Sequence, residues 1–199
     1  MNAAGRVSPA RFVRSPNCDA RPPGVAVDAL IVHAISLPPG EYGGDCIERL
    51  FTNSLDADEH PSFAEIAGMT VSAHFLIRRD GELCQFVPAY MRAWHAGESS
   101  LDGRDRVNDF SLGVELEGCD ADPFENEQYR TLARLARFLM AAFPKITPER
   151  VLGHCDIAPN RKTDPGPHFD WPRLRGEISP LPRAQFAKSA QSDKPALRA

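Results

Sequence analysis

The sequence predicts one α/β domain, in which a central mixed β-sheet is flanked by helices. Apolar runs typical of strands alternate with segments of helical periodicity, and the dipeptide Asp80-Gly81 between two short apolar runs indicates a hairpin. A chain of 199 residues is also long enough to bury one well-formed core. We expect the domain to cover residues 25–178, between an N-terminal arm at residues 1–24 and a disordered tail at residues 179–199.

The first third of the chain is predicted to hold an arm, one buried strand and one short helix. Residues 1–10 are expected to be untethered, and residues 11–24 to lie over the domain. The apolar run at residues 27–33 is typical of a buried strand whose last, polar residue emerges at the sheet edge. Apolar spacing predicts a short helix at residues 46–51, and the polar stretch at residues 53–69 is expected to overlie a binding cleft.

The middle of the chain contains the predicted hairpin and a further strand. Residues 73–77 and 83–87 are the two apolar runs that the hairpin joins, and residues 89–110 form a long polar loop. Residues 111–116 are predicted to form a strand. Because side chains alternate along a strand, Glu115 and Glu117 are predicted to face the same side of the sheet.

The last third contains the clearest helical pattern. Apolar residues recur at helical spacing across residues 126–143 and form one stripe, which indicates a core-facing helix. Residues 151–153 follow as a short apolar run that leads directly to His154. Residues 171–178 are predicted to form a final short helix.

Composition and charge exclude several classes of protein. The net charge of −4, without a run of like charges, argues against a nucleic-acid-binding protein. No apolar run approaches the roughly 20 residues that span a membrane. The five cysteines are widely spaced and form no CxxC motif, so we predict reduced thiols rather than disulfides or a thiolate metal site. The first residues lack the apolar core of a secretory signal, so we expect a soluble, cytoplasmic protein.

Titratable side chains are concentrated in residues 151–171. His154 and Asp164 lie there, and prolines in and beside the loop between them can fold it back so that both side chains meet one cation. A catalytic zinc site takes three protein ligands and leaves a fourth position to water. His33, at the end of the first buried strand, is the best upstream candidate for the third ligand. We therefore predict zinc bound by His33, His154 and Asp164, although each of them taken singly is more commonly a structural hydrogen-bonding residue.

Six short motifs follow one another in the chain. They are HAIS, LPPGEYGG, VSAHFLIRRDG, RAWHAG, NDFSLGVELEG and GHCDIAPNRKTDPGP. In this order, and over most of the chain, they resemble the AmpD-type N-acetylmuramoyl-L-alanine amidases. The resemblance implies the amidase type 2 fold, with a zinc cleft on one face of the mixed sheet, so residues 25–178 would be a zinc amidase domain. The family's zinc ligands match His33, His154 and Asp164.

Amide hydrolysis at such a site needs two further groups: a carboxylate that moves the proton of the attacking water, and a cation that stabilises the oxyanion. Glu115 and Lys162 are the candidates, and strand periodicity alone leaves Glu117 open as the carboxylate. The resemblance favours Glu115, because the family's SxGxE motif ends at that position.

The resemblance also implies substrate-binding residues. Trp94 and His95 lie in the motif that resembles the family's cleft-lining block, with packing as the alternative role. Arg106 lies in a loop that, in the family, contributes to recognition of the stem peptide, and a guanidinium can bind a carboxylate there; a solvated arginine is the alternative. One departure is Ala34, where many relatives have Asn directly after the first zinc ligand.

The resemblance implies a cytoplasmic zinc amidase, which we expect to be a monomer that acts on a small-molecule substrate without nucleic-acid or membrane partners. It would hydrolyse the bond between N-acetylmuramic acid, in its 1,6-anhydro form, and the L-alanine of muropeptides during peptidoglycan recycling. It would thereby affect the level of muropeptides that induce β-lactamase. Two alternatives stay open: a non-catalytic module that binds zinc and muropeptide, and a zinc hydrolase of another N-acyl amide.

Overall fold

The computed structural model describes residues 1–179. The strands are β1 (Arg11–Phe12), β2 (Cys18–Ala20), β3 (Ala29–Ile35), β4 (Phe75–Ile77), β5 (Leu83–Gln85), β6 (Met91–Ala93), β7 (Ser100–Leu101), β8 (Arg104–Asp105), β9 (Ser111–Glu117) and β10 (Val151–Gly153). The helices are α1 (Cys46–Phe51), α2 (Asn126–Ala142), α3 (His154–Ile157) and α4 (Trp171–Ile178), with 3₁₀ turns at Pro61–Phe63, Val107–Asp109 and Pro148–Arg150. Of the predicted tail, residues 180–199 lie outside the described part of the chain.

Six strands form one mixed sheet, in the order β1-β5-β4-β9-β3-β10. The pairs β4·β9, β9·β3 and β3·β10 are parallel, whereas β4 and β5 are antiparallel and are joined through the predicted Asp80-Gly81 turn. Two small two-stranded sheets, β2·β6 and β7·β8, lie outside this sheet. The predicted α/β class with a central mixed sheet is confirmed.

Strand β3, which lies between β9 and β10, is buried on both faces of the sheet. Leu30 and Val32 point to one face, where they join the core formed with α2 and α4. Ile31 points to the other face and packs in a smaller cluster with Ala96 and Ile157. This explains the uninterrupted apolar run, since a parallel strand covered on both sides has no solvent-facing positions. His33 is two residues after Ile31, so it belongs to the face opposite α2.

Helix α2 ends within one residue of its predicted boundary. Its apolar stripe, which includes Leu132, Ala136 and Leu139, is fully buried against the sheet. At its first turn the side chain of Gln128 accepts a hydrogen bond from the backbone N–H of Glu125 at 2.9 Å, which satisfies one of the donors that a helix start leaves unpaired. The prediction that this apolar stripe faces the core is therefore confirmed.

The N-terminal arm is integrated into the domain. β1 pairs in parallel with β5 in the main sheet, and β2 pairs with β6. The prediction that residues 1–10 are untethered is wrong: Val7 is buried, and its N–H donates to the side chain of Gln85 at 2.8 Å, while the amide of Gln85 donates to the carbonyl of Gly5 at 2.9 Å. A buried side-chain amide here takes the place of a backbone strand partner, which no periodicity in residues 1–10 could reveal.

Residues 53–69 consist of turns around the short 3₁₀ helix. Phe63 of this stretch is buried in a second core cluster with Ile47 and Leu50 of α1. Residues 53–69 are therefore held to the domain by hydrophobic packing. That they overlie a binding cleft stays a prediction. Within residues 1–179, none of the helices combines the length and apolar character that crossing a bilayer requires.

Candidate active site and metal centre

Three side chains from distant parts of the chain meet at one edge of the sheet. β10 pairs in parallel with β3, so His154, directly after β10, becomes the neighbour of His33, near the end of β3. Asp164 joins them because the loop after α3 turns back: the N–H of Cys155 donates to the carbonyl of Asp164 at 3.0 Å. Nδ1 of His33 lies 2.9 Å from Nδ1 of His154, and Oδ2 of Asp164 lies 3.2 and 3.0 Å from these two nitrogens.

The chemistry of these three atoms fits a cation. The nearer neighbour of His154 Nε2 is the carbonyl oxygen of Ala96 at 3.1 Å, which can only accept, while the donor Arg161 lies at 3.4 Å and itself donates to that carbonyl at 2.7 Å. Nε2 therefore carries the proton, and in the neutral ring Nδ1 carries a lone pair. That lone pair faces the carboxylate of Asp164, which is also an acceptor. Two imidazole nitrogens and one carboxylate oxygen form the donor set of a catalytic zinc site with an open fourth position. His33, His154 and Asp164 would therefore hold such an ion.

The protonation states of the cluster suit metal binding. Burial lowers the pKa of His33 to about 4, although the contact with Asp164 acts in the opposite direction. Burial would raise the pKa of Asp164, but contacts with His154 and His33 outweigh it and leave that pKa well below its ordinary value. At neutral pH the site therefore presents a neutral imidazole and a charged carboxylate, the forms that bind metals.

Glu115 stands beside this cluster. In the parallel pair of β3 and β9 it lies directly opposite His33. Its Oε2 is shielded from solvent and has no hydrogen-bond partner within residues 1–179. Burial raises the pKa of Glu115 well above its usual value, the negative charge of Asp164 raises it further, and the positive charge of Lys162 opposes both. The carboxyl group therefore lies beside the metal-binding loop with a raised pKa, and the Lys162 cation on that loop partly opposes the shift.

Glu117, the carboxylate that periodicity left open, is fully engaged in structural contacts. It is buried, and its Oε1 accepts from the N–H of Gly43 at 2.7 Å and from Arg78 at 3.0 Å. Its Oε2 accepts from the N–H of Arg79 at 3.1 Å. Glu117 therefore ties the loop after β3 to the hairpin, and its oxygens are not directed at the metal ligands.

The three predicted substrate-binding residues lie in different surroundings. Nε1 of Trp94 donates to Asp19 of β2 at 3.3 Å, so the indole packs beside the N-terminal arm. The side chain of Arg106 is largely exposed and lines a groove of about 610 Å³ that also borders α3. His95 lies behind His33, with protein groups next to both of its ring nitrogens. Substrate contact by these residues stays a prediction, which for Arg106 is supported by its position beside this open groove.

The sequence profile of the family described as N-acetylmuramoyl-L-alanine amidase matches residues 23–167. The chain belongs to this amidase family. The predicted family is thereby confirmed.

Curated relatives cover most of the amidase. It is 56% identical over 170 residues to the 1,6-anhydro-N-acetylmuramyl-L-alanine amidase AmpD of Salmonella typhimurium (strain SL1344), which spans 85% of this chain and 90% of the relative. It is 55% identical to the AmpD of Escherichia coli (strain K12), with 85% and 92% covered.

Solved structures have the same fold. A crystal structure of a selenomethionine derivative of AmpD superposes with a TM-score of 0.87 at 51% identity and covers 90% of this chain and 99% of that one. The amidase AmiD of E. coli, in complex with the substrate anhydro-N-acetylmuramic acid-L-Ala-D-γ-Glu-L-Lys, superposes at 0.56 and 31% identity, with 85% of this chain and 65% of that one covered. The predicted amidase type 2 fold is confirmed.

The amidase contains a supporting hydrogen-bond network that the sequence did not predict. The side chain of Asn108 accepts from the backbone N–H groups of His95 and Ala96 at 3.1 and 2.9 Å, which fixes the Ala96 carbonyl that His154 contacts. Arg21 of the arm donates to the carbonyls of Asn108 and Ser111 at 3.0 and 2.8 Å. The signal that could have found Asn108 is its place at the start of the NDFSLGVELEG motif; for Arg21 the sequence offers none.

Proposed function

We propose that this amidase hydrolyses the amide bond between 1,6-anhydro-N-acetylmuramic acid and the L-alanine of muropeptides, with zinc held by His33, His154 and Asp164. The observation that carries this proposal is the convergence of three metal-ligating atoms within 4.8 Å of one another, on the face of the sheet that also carries Glu115. The names of the AmpD relatives, at 55–56% identity over 85% of the chain, supply the substrate class.

The amidase's own residues have separate roles in this reaction. When bound, zinc lowers the pKa of a water ligand and polarises the carbonyl oxygen of the amide. Glu115, whose pKa burial raises, accepts the proton of the attacking water and then delivers it to the nitrogen of the leaving L-alanine. Lys162 contributes a positive charge near Glu115 and stabilises the negative charge that develops on the carbonyl oxygen.

We also propose a cytoplasmic monomer that acts on recycled wall fragments. All five cysteines are free thiols, which suits a reducing compartment. The names of the AmpD relatives specify a 1,6-anhydro sugar, whose C1 is closed by the internal ring, so that sugar stands at the end of a glycan chain or alone. The substrate is accordingly a small molecule, and the net charge of −4 gives no electrostatic attraction to nucleic acid.

Product analysis tests this function. The zinc-loaded protein is incubated with anhydromuramyl-tripeptide, and products are identified by mass spectrometry, with parallel samples containing a strong chelator or the variant His154→Ala. Free anhydromuramic acid and free tripeptide are expected only in the zinc-loaded sample. Binding of the muropeptide without cleavage would identify a recognition module, and faster cleavage of N-acyl amino acids unrelated to peptidoglycan would identify a different hydrolase.

A further inference from the structure

Four imidazole rings lie in a row through the amidase. The ring centroids of His154 and His33 are 4.4 Å apart, those of His33 and His95 are 5.0 Å apart, and those of His95 and His74 are 5.8 Å apart. The first two belong to the candidate metal centre. The third, His95, lies on the loop after β6, and the proposed reaction gives it no role.

The hydrogen-bonding groups around His95 determine which of its nitrogens carries the proton. The hydroxyl of Ser111 donates to the carbonyl of Val107 at 2.7 Å, so its oxygen can only accept from the ring of His95, 3.2 Å away. Nε2 of His95 therefore carries the proton. In the neutral ring with its proton on Nε2, Nδ1 is an acceptor.

This acceptor faces the metal ligand. Nδ1 of His95 lies 3.0 Å from Nε2 of His33, so His33 donates through Nε2. The lone pair of His33 is then on Nδ1, the atom that faces His154 and Asp164. The hydrogen bonds therefore all run the same way: His33 donates to His95, His95 donates to Ser111, and Ser111 donates to the carbonyl of Val107.

The ring of His95 is also fixed in place. Gly113 of β9 lies next to this ring, and a Cβ atom at that position would lie 2.5 Å from Cγ of His95. The imidazole therefore occupies the space that the absent side chain leaves. The backbone N–H of His95 donates to Asn108 at 3.1 Å. Both the ring and its backbone are thus held before any metal binds.

We propose that His95 is a positioning residue for metal binding, which accepts the Nε2 proton of His33 and so holds Nδ1 of His33 toward the cation. The inference rests on the proposed function in one respect, because it requires a metal at His33, His154 and Asp164. Groups that orient a metal-bound histidine change metal affinity by roughly 10-fold to 100-fold when they are lost.

Matched substitutions separate hydrogen bonding from space filling. His95→Leu fills the space without an acceptor, whereas the side-chain oxygen of His95→Asn can occupy the place of Nδ1. The exposed histidine His168 provides the control His168→Leu. Zinc affinity of the metal-free proteins is measured by competition with a chromophoric chelator, and the visible spectrum of the cobalt-substituted proteins reports the ligand geometry. Far-UV circular dichroism checks that each variant is folded.

His95→Leu is expected to weaken zinc binding about 10-fold to 100-fold and to alter the cobalt spectrum, while His95→Asn stays within about threefold of the unmodified protein. Unchanged affinity in a folded His95→Leu, or equal losses in both variants, would overturn the positioning role. An unmodified protein that binds no zinc would instead overturn the proposed function itself.

A second measurement does not depend on substituting His95. In ¹⁵N-labelled, metal-free protein, ring ¹⁵N–¹H correlations are expected to show the Nε2-protonated form of both His33 and His95. Ser111→Ala should weaken zinc binding several-fold, since it removes the acceptor that selects this form. An Nδ1-protonated His95 in the unmodified protein would refute the inference even if His95→Leu failed to fold.

Discussion

The two carboxylates on the same face of β9 should separate catalysis from stability. Glu115→Gln keeps the size of the side chain but removes its capacity to accept a proton. We expect turnover of anhydromuramyl-tripeptide to fall about 10²-fold to 10⁴-fold, the usual loss of a general acid–base group, while zinc stays bound. Glu117→Gln is the matched change two residues later in the strand, and there we expect turnover per folded molecule to stay within a few-fold.

The stability effects should be the reverse. Glu117 is 2% exposed and accepts from Arg78 and from the N–H groups of Gly43 and Arg79. In Glu117→Gln one oxygen becomes a donor that faces donors, so we expect a loss of about 2–4 kcal/mol in the free energy of unfolding. Arg78 keeps its second partner Glu48 at 2.9 Å, which limits the loss.

Glu115→Gln should not destabilise the protein at neutral pH. The folded state raises the pKa of Glu115, so the folded form favours the protonated carboxyl, and its ionisation costs stability as the pH rises above the value for the unfolded chain. A neutral amide avoids that cost, and Oε2 of Glu115 has no partner to lose within residues 1–179. Glu115→Gln should therefore be at least as stable as the unmodified protein.

The assay combines initial rates by chromatography and mass spectrometry with urea unfolding at pH 7 and zinc content by atomic absorption. A Glu117→Gln protein that is folded and zinc-loaded but has lost 10²-fold or more in turnover would move the proton-transfer role to Glu117. Near-normal turnover in Glu115→Gln would refute the reasoning from burial and register.

Three further predictions concern packing, pH and the metal. Gly113→Ala should lower the free energy of unfolding by about 1–3 kcal/mol and weaken zinc binding, because its Cβ would meet the ring of His95. In the control Gly176→Ala, on α4, the new Cβ meets nothing within 4 Å. Its free energy of unfolding, measured with urea, should instead rise by roughly 0.5–1 kcal/mol. Burial lowers the pKa of His74 to about 3, whereas the unfolded chain has a histidine pKa of about 6.5. The neutral, buried imidazole therefore contributes its full stabilisation above pH ~6.5. That stabilisation is lost as the pH falls toward 3, at up to about 1.4 kcal/mol in the free energy of unfolding per pH unit. His74→Asn should flatten that part of the stability curve and His168→Asn should not, as measured by urea unfolding at several pH values. Dialysis against a strong chelator should abolish hydrolysis and added zinc should restore it; activity that survives with zinc below one-tenth of the protein concentration would contradict a zinc mechanism.

Much of the scaffold followed from local pattern. The uninterrupted apolar run before His33 predicted a strand buried on both faces, and the stripe of residues 126–143 predicted α2 to within one residue. Those features depend on side-chain periodicity, which a sequence displays directly. The integration of residues 1–10 could not be predicted in this way, because it depends on the side chain of Gln85, far along the chain.

For the site, the sequence by itself determined which residue types are available: two histidines and one aspartate with the chemistry of metal ligands, and two carboxylates on one strand face. Only the tertiary structure decided what each of them contacts. The parallel pairing of β10 with β3 brought His154 to His33, and the register of β9 set Glu115 opposite His33. Backbone donors from remote loops occupied Glu117 instead. Such choices depend on strand order and on hydrogen bonds between residues tens of positions apart, and these arise only when the chain is folded.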